Sequence, residues 1–215
     1  MMMKLFLASR INTPESLNKL NIFLGSDLST KSVVYIPSAA NAEDGWGSWR
    51  KSPTLNMVQQ LCKNLEVVQL EDCRVRDIMP DFEGKDIIWV GGGYSGYLAY
   101  WMRLSQFDKK LPELLNKGVV YLGSSAGAMV CSKHQYSAEM GKDPEYGAAF
   151  ISGLGYLDFE MRPHYTNDEF DQCKKWWKKN GKGDLYLLKD GEVITVVDGE
   201  INFSGEKRVI HADNS

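Results

Sequence analysis

Histidine is scarce in this 215-residue chain, with three in all, and cysteine is nearly so, with four. The cysteines (Cys62, Cys73, Cys131, Cys173) are scattered, with no Cys-x-x-Cys pair and no zinc-ligand spacing. That sets aside a disulfide framework and a structural zinc site, and it fits reduced, mostly buried thiols of a cytoplasmic protein. No apolar run is long enough to cross a bilayer. The opening Met1–Leu7 is too short before Arg10 and Asn12 to be a signal peptide. A basic excess is missing too: 25 Lys and Arg face 28 Asp and Glu, for a formal charge of −3. With a pI near 5.7, the chain offers no electrostatic footprint for nucleic acid or an anionic membrane. Internal repeats, low-complexity tracts and linkers are absent. What remains is 43% hydrophobic, an ordinary globular composition, long enough for a single domain over residues 1–215 with a self-sufficient core. Small molecules or short peptides are the partners such a chain suits, as a monomer or homodimer, and nothing in it signals a metal or organic cofactor.

Short apolar runs alternate with helical patterns through the first two thirds. Lys4–Ala8, Val33–Pro37, Val67–Leu70, Asp86–Val90 and Val119–Leu122 read as buried strands. Pro14–Phe23, Thr54–Leu65, Ser95–Ser105 and Lys109–Lys117 read as helices, the first opened by Thr13 as cap and Pro14 in the first turn. Alternation of this kind implies parallel strands with right-handed crossovers, a doubly wound α/β sheet with helices on both faces. The last third reads differently. Asp168–Lys179 is one amphipathic helix, followed by short strands at Asp184–Leu188, Val193–Val197, Ile201–Phe203 and Arg208–Ile210. The dipeptides Asp190-Gly191, Asp198-Gly199 and Ser204-Gly205 between them are tight-turn signals, so a small β-meander is expected to finish the domain.

The sharpest local signal is Gly123-Ser124-Ser125-Ala126-Gly127-Ala128, directly after a strand and before a helix-prone stretch. A nucleophile on such an elbow sits on a strained backbone and needs small neighbours, here Gly123 and Gly127, two residues to either side of Ser125. The elbow aims the helix start at a reacting carbonyl and offers the Ala126 N–H to its oxygen. A Gly/Ala-rich turn that merely packs a helix on a sheet has the same composition; the strand-before, helix-after context favours the chemical reading. Gly91-Gly92-Gly93 follows the preceding strand, and neighbouring parallel strands would bring both loops to one carboxyl edge. There a glycine N–H approaches a substrate oxygen closely. The run lacks the Lys-Ser/Thr of a P-loop and the Gly-x-Gly-x-x-Gly spacing, which leaves a flexible turn as its other reading.

Ser125 needs a base. His134 lies nine residues on, past two helical turns, and should point away. His211 sits in a polar tail. His164, in Arg162-Pro163-His164-Tyr165-Thr166-Asn167, has a neighbouring proline that restrains the backbone. An acid must hold the imidazole tautomer, and Asp190 and Asp198 both qualify on chemistry. Trp46 and Trp49, in the loop after an early strand, are candidates for a pocket rim; of Trp176 and Trp177, about 100° apart on a helix, one should pack in the core and the other flank it.

With Val90-Gly91-Gly92-Gly93, the Ser125 elbow and Pro163-His164-Tyr165-Thr166-Asn167 in that order, the chain resembles the peptidase E family. These alpha-aspartyl dipeptidases are serine peptidases related to cyanophycinases and distantly to class I glutamine amidotransferase domains. The resemblance runs from Lys4 to about Ile210 and extends to Asp190-Gly191 followed by Val193–Val196. It implies Ser125 as nucleophile, His164 as base and Asp190 as acid, where the family pattern usually has glutamate before glycine. It implies Gly93 and Ala126 as oxyanion donors, and Gly92, Glu139 and Asn167 beside the substrate. Two family segments are absent. No arginine-bearing insertion separates Asn167 from Lys174, and no Asn-Asp-Met-Pro segment precedes, Glu139 lying near that position. The resemblance therefore implies hydrolysis of short peptides or amides but not strict Asp-X specificity. Two other readings stand beside it: an esterase or amidase of α/β-hydrolase type using His211 with an upstream acid, and a non-catalytic binding protein that keeps an amidotransferase-like fold.

Overall fold

The computed structural model describes residues 3–11, 13–42, 49–51, 53–140, 147 and 150–212. Five strands, β1 (Lys4–Ala8), β2 (Ser32–Ile36), β3 (Asn64–Val67), β4 (Ile87–Val90) and β5 (Val120–Ser124), run parallel. They lie in the order β3-β2-β4-β5-β1, and β1 is followed by β8 (Val193–Val197) and β9 (Glu200–Ser204), both antiparallel to their neighbours, to complete seven strands. Strand periodicity assigns the two faces. Leu5, Leu7, Ile36 and Val90 meet Leu98 of α3 (Ser95–Leu104) and Leu111 of α4 (Phe107–Asn116). Phe6, Ala8, Tyr35 and Trp89 meet Leu20 of α1 (Pro14–Leu24) and Val58 of α2 (Pro53–Leu61) on the opposite face. Strands buried on both faces are what uninterrupted apolar runs encode, and each fully buried aliphatic side chain adds about 1.5–3 kcal/mol. The doubly wound expectation for the parallel part matches this sheet.

Several boundaries move for local reasons. Thr13 caps α1 as expected, its hydroxyl accepting the Ser16 N–H at 3.1 Å with Pro14 in the first turn. The third strand ends at Val67, three residues earlier than the sequence suggests, because the Leu70 N–H turns to donate to Ser38 Oγ (2.9 Å). The short helix α5 (Ala126–Met129) follows β5.

The expected β-meander does not form. β8 and β9 extend the main sheet as a hairpin, whereas β7 (Asp184–Leu187) and β10 (Val209–His211) join β6 (Glu160–Arg162) in a separate three-stranded sheet of order β10-β7-β6. β6 runs parallel to β7, with Arg162 opposite Leu187. Helix α6 (Phe170–Asn180) covers this second sheet through Cys173 and Trp177. Trp177 is fully buried, and its indole N–H donates to the Gly183 carbonyl at 3.1 Å, while Trp176 is half-buried beside it. Trp49 is core rather than rim: it is buried, and its Nε1–H donates to Gln69 Oε1 at 2.6 Å. Trp46 lies outside the described residues. Among the described residues no helix is long and apolar enough to cross a membrane.

Candidate active site

Three neighbouring strands of the main sheet, β4, β5 and β1, end at one edge: Val90 pairs with Gly123, and Ala8 with Ser124. The next residues out are the glycine loop, Ser125 and Ser9. Ser125 sits at φ 52°, ψ −114°, a region that non-glycine residues enter only when their surroundings force them. Its N–H donates to the Ala8 carbonyl at 3.0 Å, and its own carbonyl accepts from Ala128 and Met129 at 2.9 Å. The turn is tight enough that a Cβ on Gly127 would fall 2.3 Å from the Val90 carbonyl oxygen, so only glycine lets α5 pass this close to β4. With four residues, α5 supplies local N–H groups rather than a helix dipole of any size.

His164 and Asp190 reach Ser125 from the second sheet. β6 and β7 are parallel neighbours and so end at the same edge, where His164 follows β6 by two residues and Asp190 follows β7 by three. From there the chain turns back into β8, whose first residue, Val193, pairs with Ala8 at the carboxyl end of β1. The result is a continuous line: His164 Nε2 lies 3.0 Å from Ser125 Oγ, and His164 Nδ1 lies 2.7 Å from Asp190 Oδ1. His164 also has positive φ, at 58°.

Ser9, which no motif singles out, ties the line together. Its buried hydroxyl donates to Asp190 Oδ1 and accepts the His164 backbone N–H, both at 2.8 Å. Arg10 adds an ion pair from Nε to Asp190 Oδ2 at 3.5 Å. Burial raises the Asp190 carboxyl, but the hydrogen bonds from His164 and Ser9 and the nearby positive charge outweigh it, and the group stays below its ordinary range. The turn around Asp190 is braced in turn. Lys19 Nζ donates to the Gly191 carbonyl at 2.9 Å, Glu192 Oε2 accepts the Lys189 N–H at 2.8 Å, and Arg208 Nη1 grips both Glu192 oxygens at 3.0 and 2.8 Å.

Opposite this line, Gly92 and Gly93 face Ser125 across a cleft of about 180 Å³, with Arg10 and Thr54 on its walls. A Cβ on Gly92 would stand 3.1 Å from the Ser125 Cβ. Gly93, at φ 135°, packs so closely on Ala39 that any Cβ would overlap its carbonyl. The flanking amides are occupied, Gly91 N–H by the Ile36 carbonyl and Tyr94 N–H by that of Ala39. Those of Gly92, Gly93 and Ala126 have no partner among the described residues. A second cavity, about 320 Å³, opens on the far side of His164 and is lined by Thr166, Asn167, Lys189 and Asp190. Asn167 lines this second cavity and not the Ser125 cleft. Glu139 lines neither cavity, since its 3₁₀ turn, Tyr136–Met140, packs on β6 and α6.

The alternative residues are carried elsewhere. Asp198 caps the opposite end of β1, its Oδ1 accepting the Met3 N–H at 2.8 Å, about a strand length (~15 Å) from the carboxyl edge. His211 pairs with Asp184 at the start of β7, again the wrong end, with 2.6 Å between His211 Nδ1 and Asp184 Oδ1. His134 stacks on Tyr136, 5.4 Å between ring centroids. Among the described residues no group of His, Cys, Asp and Glu side chains is placed to hold a metal ion.

The fold is a mixed α/β one built on a large, mostly parallel sheet, and the candidate site lies at the carboxyl edge of that sheet. The chain belongs to peptidase family S51, whose family model matches residues 5–204. It is similar to an uncharacterised peptidase of Listeria monocytogenes, with 25% identity over 180 residues covering 82% of this chain and 87% of that one. It is also similar to Peptidase E of Nostoc sp., with 23% identity over 197 residues covering 87% and 77%. Among solved structures, a candidate peptidase E protein from L. monocytogenes EGD-e superimposes with a TM-score of 0.75 at 25% identity, over 95% of this chain and 98% of that one. A peptidase from an acI-B1 actinobacterium shares the fold, with a TM-score of 0.65 at 19% identity over 99% and 96%. The protein is a peptidase.

Proposed function

We propose that the protein is a cytoplasmic serine peptidase that cleaves short peptides through an acyl-enzyme on Ser125. The observation that carries this reading is the unbroken line from Ser125 Oγ through the His164 ring to Asp190, at 3.0 and 2.7 Å, opposite three amide N–H groups that have no partner among the described residues. His164 Nε2 takes the Ser125 proton as the hydroxyl attacks the peptide carbonyl, and the Gly93 and Ala126 N–H groups, with Gly92 beside them, receive the oxyanion. The C–N bond then breaks as His164 returns the proton to the leaving amine. Water, deprotonated by the same nitrogen, releases the acid product. Asp190 remains a carboxylate throughout, holding Nδ1–H and stabilising the imidazolium. Cavities of about 180 and 320 Å³ to either side of His164 suit one residue each, which supports a dipeptide-like substrate without prescribing aspartate. Four free thiols support a reducing compartment. The elbow after β5 and the glycine loop after β4 support the class I amidotransferase-like variant of the fold.

The test is a dipeptide library assayed with wild type and Ser125→Ala in parallel, with fluorophosphonate labelling. Wild type should label at residue 125, and the variant should lose on the order of 10⁶-fold in kcat. Near-full activity in Ser125→Ala would overturn the reading.

A further inference from the structure

If the reaction runs through an acyl-enzyme as proposed above, the leaving amine must face His164 Nε2, because that nitrogen returns its proton. Strand order then fixes the wall along which the leaving residue lies. β4 brings Gly92 and Gly93 to one side of Ser125, and β1 brings Ser9 and Arg10 to the other, the side on which His164 and Asp190 also stand. A substrate whose carbonyl oxygen turns to the glycine loop lays its leaving residue along the β1 wall.

That wall is positive. Arg10 lines the Ser125 cleft with half of its side chain exposed, and among the described residues lining it only Arg10 carries a permanent charge. Its ion pair to Asp190 engages Nε alone, so both Nη groups are without a partner among the described residues. Beyond His164, the wall of the second cavity adds Lys189, whose ammonium is also unpaired among the described residues. Set against the Asp190 carboxylate on the same wall, the two cations leave a positive excess where the leaving residue goes, in a chain of net charge −3. A guanidinium with an open fork selects a planar carboxylate.

We infer that Arg10 binds the C-terminal carboxylate of the leaving amino acid and is the residue that makes the enzyme prefer a free carboxyl end. A longer chain would present a neutral amide to the fork and leave the guanidinium unanswered. The inference rests on the acyl-enzyme reading and adds to it a residue that sets specificity on the leaving side.

The experiment pairs each dipeptide that wild type cleaves with its own C-terminal amide. Wild type, Arg10→Gln, Arg10→Lys and Lys189→Gln are compared, each checked by circular dichroism and by fluorophosphonate titration of Ser125. In wild type kcat/KM should favour the free acid by about 10- to 100-fold, the size of one charge-assisted contact, mainly through KM. The ratio should fall towards one in Arg10→Gln and partway in Arg10→Lys, which keeps the charge without the fork. Any shared effect of losing the Arg10–Asp190 ion pair cancels in the ratio. If Arg10→Gln does not fold, Arg10→Lys decides, a lowered ratio supporting the inference and an unchanged one overturning it. A wild-type ratio near one, a ratio that survives Arg10→Gln, or a collapse in Lys189→Gln alone overturns the role of Arg10. So does sensitivity only to an acidic side chain in the substrate. In each of those cases labelling at Ser125 leaves the acyl-enzyme reading standing. No turnover together with no labelling overturns both.

Discussion

The Ser9 hydroxyl is fully buried and makes two hydrogen bonds, one given to Asp190 and one taken from the backbone of His164. It therefore sets the relation between acid and base without touching substrate, a positioning residue in the proposed mechanism. Ser9→Ala leaves a buried N–H without an acceptor, at a cost of about 1–3 kcal/mol, and frees His164 to leave its positive-φ conformation. An ångström of misplacement should lower kcat by about 10²-fold with KM little changed. The Ser9 bond is also one of those holding the Asp190 carboxyl low against the effect of burial. Its loss raises that carboxyl, so the pH at which Asp190 titrates, followed by carboxyl NMR, should move up. Ser9→Thr, which keeps the hydroxyl, should restore both the rate and the Asp190 titration. A rate loss in Ser9→Ala with an unmoved Asp190 titration would mean that Ser9 serves packing alone. Nothing in the Lys4–Ala8 strand marks the serine that follows it. Its importance comes from β1 lying beside β5, and strand order is not written in any local pattern.

Among the elements, those buried on both faces were readable from their residues, and those shaped by tertiary pairing were not. Uninterrupted apolar runs located β1, β2, β4 and β5 to within two residues, and the small-residue elbow marked the turn that carries Ser125. β6 has only Glu160, Met161 and Arg162, which carry no strand signal. With β6 unseen, β7 and β10 look like parts of a hairpin series, and the parallel β6–β7 pair that brings His164 and Asp190 to one edge is invisible. The pairing also separates the two acids that chemistry left open, with Asp190 beside His164 and Asp198 at the far end of β1. The elbow itself depends on the contact between α5 and β4. Gly127→Ala would set a methyl 2.3 Å from the backbone of Val90, which cannot swing aside as a side chain would. Overpacking of this kind should destabilise the protein by about 1–3 kcal/mol in urea unfolding, and it should reduce fluorophosphonate labelling at Ser125 under conditions where the variant is still folded. Wild-type stability and labelling in that variant would show that the elbow can relax without losing its geometry.

At the scale of the whole molecule the proposed nucleophile and its partners belong to different sheets, so activity depends on how the two are docked. Ser9, the Lys19–Gly191 contact and the Ser9 N–H to the Glu192 carbonyl (3.3 Å) hold the active edge. At the other end of β6 stands Glu160, almost fully buried at 3% exposure, its Oε2 accepting the Ser137 N–H at 2.7 Å and its Oε1 without a partner among the described residues. Lys133, His134, Asp158 and Lys182 line the shallow cavity at whose wall it sits. Burial pushes this carboxyl above its ordinary 4.5, more than the hydrogen bonds from Ser137 and Tyr136 pull it down. A raised carboxyl binds its proton more tightly in the folded state, so its contribution is full in acid and declines as pH rises from 4.5 through the folded value. Asp86, held low by the Ser32 N–H and hydroxyl, and Asp190 work in the opposite sense: each adds stability above its ordinary 3.8 that is lost as pH falls through the lowered folded value. The total should therefore pass through a maximum in mild acid. Glu160→Gln keeps the shape of the protonated side chain and removes the descending limb, so its maximum should broaden towards neutral pH and it should gain on wild type as pH rises. Unfolding free energies of the two proteins in urea from about pH 4 to pH 8 give the comparison directly. If the difference between them is flat across that range, Glu160 does not change its proton affinity on folding, and the seam beneath β6 must be solvated rather than dry.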